Sequence, residues 1–227
     1  MTTILVTGAN RGIGLEFVRQ YADGASVIAC CRKPAEAKDL NALVKSKDVR
    51  VMELDVGDAS SAARLARALK GEAVDILINN AGVFGPGKQS AAHSDYEGFA
   101  QTFRINSIGP LIVSQALRDN LMAGRDKKLV TITSKMGSIA DSSGGSLAYR
   151  ASKAAVNMLM HVLSHDWAGD GILVGIFHPG WVQTDMGGRG ALITPQESVR
   201  GLRDRIAELS AKTSGHYLDY LGKEIAW

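Results

Sequence analysis

The chain has 227 residues, 45% of them hydrophobic and 22% charged, a balance that suits one folded domain and excludes a disordered or low-complexity protein. The net charge of +3 comes from Lys and Arg scattered among nearly as many Asp and Glu, and only 6% of residues are aromatic, so no nucleic-acid-binding surface is expected. There is no run of about 18 apolar residues and no basic leader, and the only cysteines, Cys30 and Cys31, are adjacent; the expectation is a cytoplasmic protein in a reducing compartment without a membrane partner.

In chain order, the apolar run 4–6 ends at Thr7-Gly8 and reads as a strand, and apolar residues at 13, 17, 18 and 21 then recur at helical spacing. Residues 27–30 read as a second strand, 36–44 as a helix, 50–54 as a third strand ending at Asp55, and 60–69 as a helix. A strand at 76–78, one long helical region over 96–120, a strand at 129–133 and a helix over 149–167 follow. A strand at 173–177, a helix over 195–209 and a last strand at 216–218 complete the series. Short apolar strands alternating with helices predict a doubly wound parallel α/β sheet in a single domain spanning 1–227, with ligands gathered at the carboxyl ends of the strands. Two Gly- and Ser-rich loops, near residues 135–147 and 185–195, follow strands and are expected to contact substrate.

Chemistry concentrates in two motifs. Gly8, Gly12 and Gly14, with Asn10, Arg11 and Ile13 between them, lie between the first strand and the first helix, where small residues let the backbone approach a pyrophosphate and helix N–H groups face the anion. Tyr149 and Lys153 stand four residues apart on one helix face, so an ammonium can favour the phenolate and bring the phenol within range of proton transfer at neutral pH. The second strand ends Cys31-Arg32-Lys33 with no carboxylate to accept from a ribose 2'-hydroxyl; Arg32 with Arg11 could clamp a 2'-phosphate, which predicts NADP(H) over NAD(H). His161 and His165 also stand four apart, but the HExxH pattern and a third ligand are missing, and no metal site is expected.

The order TGxxxGxG, Asp55-Val56, Asn79-Asn80-Ala81-Gly82, Asn106, Ser134, Tyr149 with Lys153, and Pro179-Gly180 with Thr184 resembles the short-chain dehydrogenase/reductase family along essentially the whole chain. The resemblance implies a three-layer Rossmann fold. It also implies that Asp55 and the Val56 backbone contact adenine, that Asn80, Ala81 and Gly82 line a ribose, and that Pro179, Gly180, Val182 and Thr184 border the nicotinamide. It further implies a catalytic tetrad of Asn106, Ser134, Tyr149 and Lys153, in which Tyr149 gives the proton, Lys153 lowers its pKa and binds ribose, Ser134 donates to the substrate oxygen, and Asn106 holds a water. Ser134 stands farther from Tyr149 than is usual in the family, where the offset would fall on Met136; a loop insertion accounts for this, and Ser138 is the second choice. The sequences around 106–110, 137–145 and 178–186 resemble the sniffer and C-factor-like carbonyl reductases, which implies NADPH-dependent, reversible reduction of a ketone or aldehyde. Family precedent implies a homodimer.

The rival reading is an NADP(H)-binding regulatory or signalling protein with little turnover, and the intact tetrad favours the enzyme. A methyltransferase would need an acidic residue after the second strand, where Arg32 stands. Phe84, Ile139, Leu147, Trp181, Met186 and Leu192 are candidates to line the substrate pocket or simply to pack; their hydrophobicity suggests an apolar or aromatic carbonyl.

Overall fold

The computed structural model describes residues 1–227. Seven strands form one parallel sheet in the order β3-β2-β1-β4-β5-β6-β7: β1 (Thr3–Thr7), β2 (Ser26–Cys31), β3 (Val49–Glu53), β4 (Ile76–Asn79), β5 (Lys128–Ile132), β6 (Leu173–His178) and β7 (Tyr217–Asp219). Chain order reverses between β1 and β4, where Ile4, Leu5 and Val6 pair with Ile76, Leu77 and Ile78. Crossovers leave that point in opposite directions and open a crevice beyond the strand ends.

Strand periodicity divides the interior into two layers. Ile4, Val6, Val27 and Ile78 point to one face, where they pack with Phe17 and Val18 of helix α1 (Gly12–Tyr21), Leu40 of α2 (Lys38–Val44), and Val199, Leu202 and Ile206 of α8 (Pro195–Glu208). Leu5, Ile28, Leu77 and Leu129 point to the other face. They meet Leu65 of α3 (Ala59–Ala68), Val113 of α5 (Gly109–Ala116), Leu121 of α6 (Arg118–Ala123), and Val156, Met160 and Leu163 of α7 (Leu147–Asp166). Both faces of the sheet are therefore covered, which is why its strands read as unbroken apolar runs. No helix is long and apolar enough to cross a membrane.

Two local expectations are corrected. The region 96–120 is not one helix: α4 (Tyr96–Phe103) passes into a π-helical turn at Arg104–Ile108 before α5 and α6. Pro110 explains the break, because it has no N–H to give the Asn106 carbonyl and so removes an α-helical hydrogen bond there. The helix expected from residue 36 begins only at Lys38, after a 3-10 turn opened by Pro34.

Candidate active site

A cleft of ≈ 490 Å³ runs along the carboxyl ends of the strands, from Arg32 and Asp55 to Tyr149 and Lys153. The turn after β1 forms its floor. Gly8 has φ +64, and a Cβ there would lie 2.8 Å from the Ala81 Cα; a Cβ on Gly14 would lie 2.3 Å from the Gly8 carbonyl oxygen. The first position needs the left-handed backbone region, and the second lets α1 close against the turn. Asn10, Arg11, Gly12 and Ile13 line the cleft with these two glycines at the N-terminus of α1, an arrangement of N–H groups suited to an anion.

The loop after β4 is stitched to the glycine turn. Thr7 Oγ1 accepts from the backbone N–H groups of Asn80 (3.0 Å) and Ala81 (3.1 Å), and Asn80 Nδ2 donates to the carbonyls of Thr7 (3.0 Å) and Gly8 (3.2 Å). The Asn80 amide therefore fixes the floor while Asn80, Ala81 and Gly82 border the cleft. Asp55 and Val56 line the end of the cleft beside Arg32, where Asp55 Oδ1 accepts from Gly57 N at 2.9 Å. Arg32 is exposed at this margin, and Arg11 pairs with Asp185 at 3.1 Å across the mouth.

Helix α7 carries Tyr149 and Lys153 on its buried side, with Lys153 Nζ 5.8 Å from the Tyr149 ring centroid and donating to the Ile132 carbonyl at 3.1 Å. Burial pushes the Lys153 ammonium down to about 8. The depressed phenol expected from the sequence is not found: burial pushes Tyr149 up, and a hydrogen bond with the Ser134 side chain offsets only part of that rise. The difference arises because burial desolvates the phenol itself and so penalises the phenolate.

Ser134 follows β5 directly. Its Oγ accepts from Met136 N at 3.2 Å, and its carbonyl accepts from the buried Tyr217 hydroxyl. Ser138 is turned to another task, accepting from Asp141 N at 3.1 Å. Asn106 lies in the π-helical turn, 1% exposed, with its amide bound to both backbone groups of Val83 (2.8 Å each) and to Ser152 Oγ (3.0 Å). Ser152 in turn donates to the Tyr149 carbonyl at 2.8 Å, joining Asn106 to α7. Asn106 is buried beneath the loop after β4, whereas Ser134 stands beside the cleft with its side chain against that of Tyr149.

Pro179 and Thr184 line the opposite wall, whereas Gly180 and Val182 do not; Val182 is buried. The loop after them is more ordered than its glycines suggest, because Gly187 N and Gly188 N donate to Thr184 Oγ1 (3.1 Å) and Thr184 O (2.9 Å), and Trp181 Nε1 donates to Gly187 O (2.8 Å). Phe84, Ile139, Leu147, Trp181, Met186 and Leu192 all remain exposed, and Phe84 packs against Tyr149 with ring centroids 4.9 Å apart. His161 and His165 approach through their Nε2 atoms at 3.3 Å, with no third His, Cys, Asp or Glu grouped with them.

Sequence reasoning missed Gln89, Tyr217 and Asp185, which contact the candidate site residues Tyr149, Ser134 and Arg11 respectively. Partners separated by 60, 83 and 174 positions form no local motif. The prior signals were that Tyr217 lay in a predicted strand and that Asp185 opened a loop expected to contact substrate.

The comparisons agree with this architecture. A family model described as short chain dehydrogenase matches residues 2–191. A protein named C-signal from Myxococcus xanthus is 44% identical over 155 residues, covering 68% of this chain and 93% of the relative. A 1-hydroxy-2-glutathionyl-2-methyl-3-butene dehydrogenase from Rhodococcus is 36% identical and covers 100% of both chains. Among solved structures, NADPH-bound carbonyl reductase from chicken fatty liver is similar with a TM-score of 0.94 and 35% identity, covering 100% of this chain and 99% of that one. The carbonyl reductase Sniffer of D. melanogaster has a TM-score of 0.93 and 29% identity, covering 100% of both chains. With its parallel sheet, its glycine turn and a match over most of its length, this chain belongs to the short-chain dehydrogenase family.

Proposed function

We propose that this oxidoreductase uses NADP(H) to reduce a ketone or aldehyde to an alcohol, reversibly. The observation that carries the reading is the buried Tyr149–Lys153 pair beside a cleft that begins at the glycine turn.

The residues present fit the dinucleotide. Gly8, Gly12, Ile13 and Gly14 line the cleft where α1 begins, so backbone N–H groups there suit a pyrophosphate, and Lys153 is a buried ammonium that ribose hydroxyls could satisfy. Asp55 and Val56 would meet adenine, Asn80, Ala81 and Gly82 the ribose side, and Pro179 and Thr184 the nicotinamide side, with Gly180 and Val182 shaping the chain between them. Arg32 supports a 2'-phosphate, with Arg11 as its second arm. The Arg11–Asp185 pair is a weak competitor, since its side chains are 71% and 82% exposed and such pairs contribute about 0–1 kcal/mol. The NADPH-bound chicken reductase supports the same choice by similarity.

NADPH held along the cleft by these residues would supply hydride. Tyr149 Oη gives the proton to the carbonyl oxygen, and Ser134 Oγ donates to that oxygen as negative charge develops. The Lys153 ammonium favours the phenolate left on Tyr149. Asn106 holds Val83 and, through Ser152, the first turn of α7, so it fixes the distance between the loop and Tyr149. Phe84, Trp181, Met186 and Leu192 favour an apolar or aromatic carbonyl substrate. Exposed Ile108, Met158 and Val162 on the π-helical turn and α7 support a homodimer, and the free buried cysteines suit a reducing cytoplasm.

The test is reduction of a carbonyl panel with NADPH deuterated at nicotinamide C4. Deuterium on the carbinol carbon of the product is the expected result; tight NADPH binding without label transfer to any carbonyl would favour a regulatory binding protein.

A further inference from the structure

Helix α7 begins without a local cap. Ser146 precedes it at φ 49 and offers no side-chain hydrogen bond to the first turn. The first N–H groups of a helix lack partners within it, and a buried start needs acceptors from elsewhere. Gln89 supplies two of them: its Oε1 accepts from Tyr149 N at 3.0 Å, and its backbone oxygen accepts from Leu147 N at 3.0 Å. The other end of the same amide is equally committed, with Nε2 donating to the carbonyls of Phe84 (3.1 Å) and Pro86 (2.9 Å). Only 6% of Gln89 is exposed, and it does not line the cleft.

We propose that Gln89 is a positioning residue that splints residues 83–86 to the first turn of α7 and thereby sets where the Tyr149 hydroxyl and the Phe84 ring stand relative to each other. The inference rests on the reading of Tyr149 as the proton donor. Val83 is held at one end by Asn106, and Phe84 and Pro86 at the other by Gln89, while the Phe84 ring lies 4.9 Å from that of Tyr149. The amide orientation is specified by its partners: one N–H faces the oxygen end and two carbonyls face the nitrogen end, so only a group with an acceptor and two donors satisfies all three. A misplacement of about 1 Å at a reacting group costs on the order of 10²-fold in rate, which makes such a splint consequential.

Two variants separate this role from a general loss of fold. Gln89→Met removes every side-chain hydrogen bond at nearly constant volume. Gln89→Glu keeps the acceptor for Tyr149 N–H but turns a carboxylate oxygen toward two carbonyls, and protonation restores one donor. For Gln89→Met, kcat should fall about tenfold or more, with the KM for NADPH within about twofold because the glycine turn is untouched. For Gln89→Glu, kcat should fall at neutral pH and recover as pH is lowered. Hydrogen exchange at the Tyr149 amide should accelerate in Gln89→Met while α1 keeps its protection. Variants that fold, as judged by circular dichroism, with wild-type kcat and pH profile would overturn the proposal. If wild type turns over no carbonyl, the reading of Tyr149 fails separately, and the exchange measurement still decides the splint: unchanged Tyr149 protection in Gln89→Met would overturn it.

Discussion

The role proposed for Lys153 sets function against stability, and Lys153→Met should reveal the opposition as a change of sign with pH. In the unfolded chain the ammonium titrates at its ordinary value of 10.5; burial lowers it to about 8 in the folded chain. Between these values the unfolded chain binds more protons, so stability rises with pH through the window from 8 to 10.5; below 8 both states are protonated and the penalty is complete. That penalty amounts to about 3 kcal/mol at neutral pH. Methionine removes it but also removes the hydrogen bond to the Ile132 carbonyl, a loss of about 1 kcal/mol. The variant should therefore be about 2 kcal/mol more stable than wild type at pH 7, or about 4–8 °C in Tm for a chain of this size. The advantage should shrink above pH 8 and reverse near about pH 10, where the neutral lysine retains only its favourable hydrogen bond. Urea unfolding of both proteins without cofactor, at intervals from pH 7 to pH 10.5, reads this directly, and the difference between them cancels other titrating groups. A variant less stable than wild type at pH 7, or a difference that does not change across the window, would refute the assignment of the burial penalty to Lys153.

Two further predictions concern the cleft. Arg32→Ala should weaken NADPH binding about tenfold, the scale of one partly exposed charge-assisted hydrogen bond, while leaving NADH binding unchanged; equal losses for both cofactors by calorimetry would remove the 2'-phosphate role. Ser134→Ala should lower kcat about 10²-fold with little change in the KM for NADPH, whereas Ser138→Ala, which loses only its contact to Asp141 N, should stay within about twofold. Steady-state kinetics that ranked the two serines the other way would transfer the role to Ser138.

Much of the fold was legible because the sheet is covered on both faces. Runs such as 4–6 and 76–78 had no polar alternation to hide them, and Thr7-Gly8 and Asn79-Asn80 marked where strands give way to loops. The break in 96–120 was less visible because apolar periodicity continues through it; Pro110 was present in the sequence, but its effect on the Asn106 carbonyl depends on helix register. For the candidate site, the glycine turn and the Tyr149–Lys153 spacing could be read because their geometry is local. What supports them was not. Gln89 reaches Tyr149, Tyr217 reaches Ser134, and Asp185 reaches Arg11 only after distant strands and loops have come together. The direction of the Tyr149 shift was missed for a related reason, since spacing reveals the neighbouring cation but not the burial that desolvates both groups.

The most direct test of the central claim is the kcat of Tyr149→Phe against wild type on a carbonyl that wild type reduces, with NADPH affinity measured on both. Phenylalanine keeps the ring against Phe84 and removes only the hydroxyl, so a proton donor at that atom predicts a fall of about 10²–10⁴-fold in kcat with cofactor affinity nearly unchanged. Turnover by the variant equal to that of wild type would contradict it.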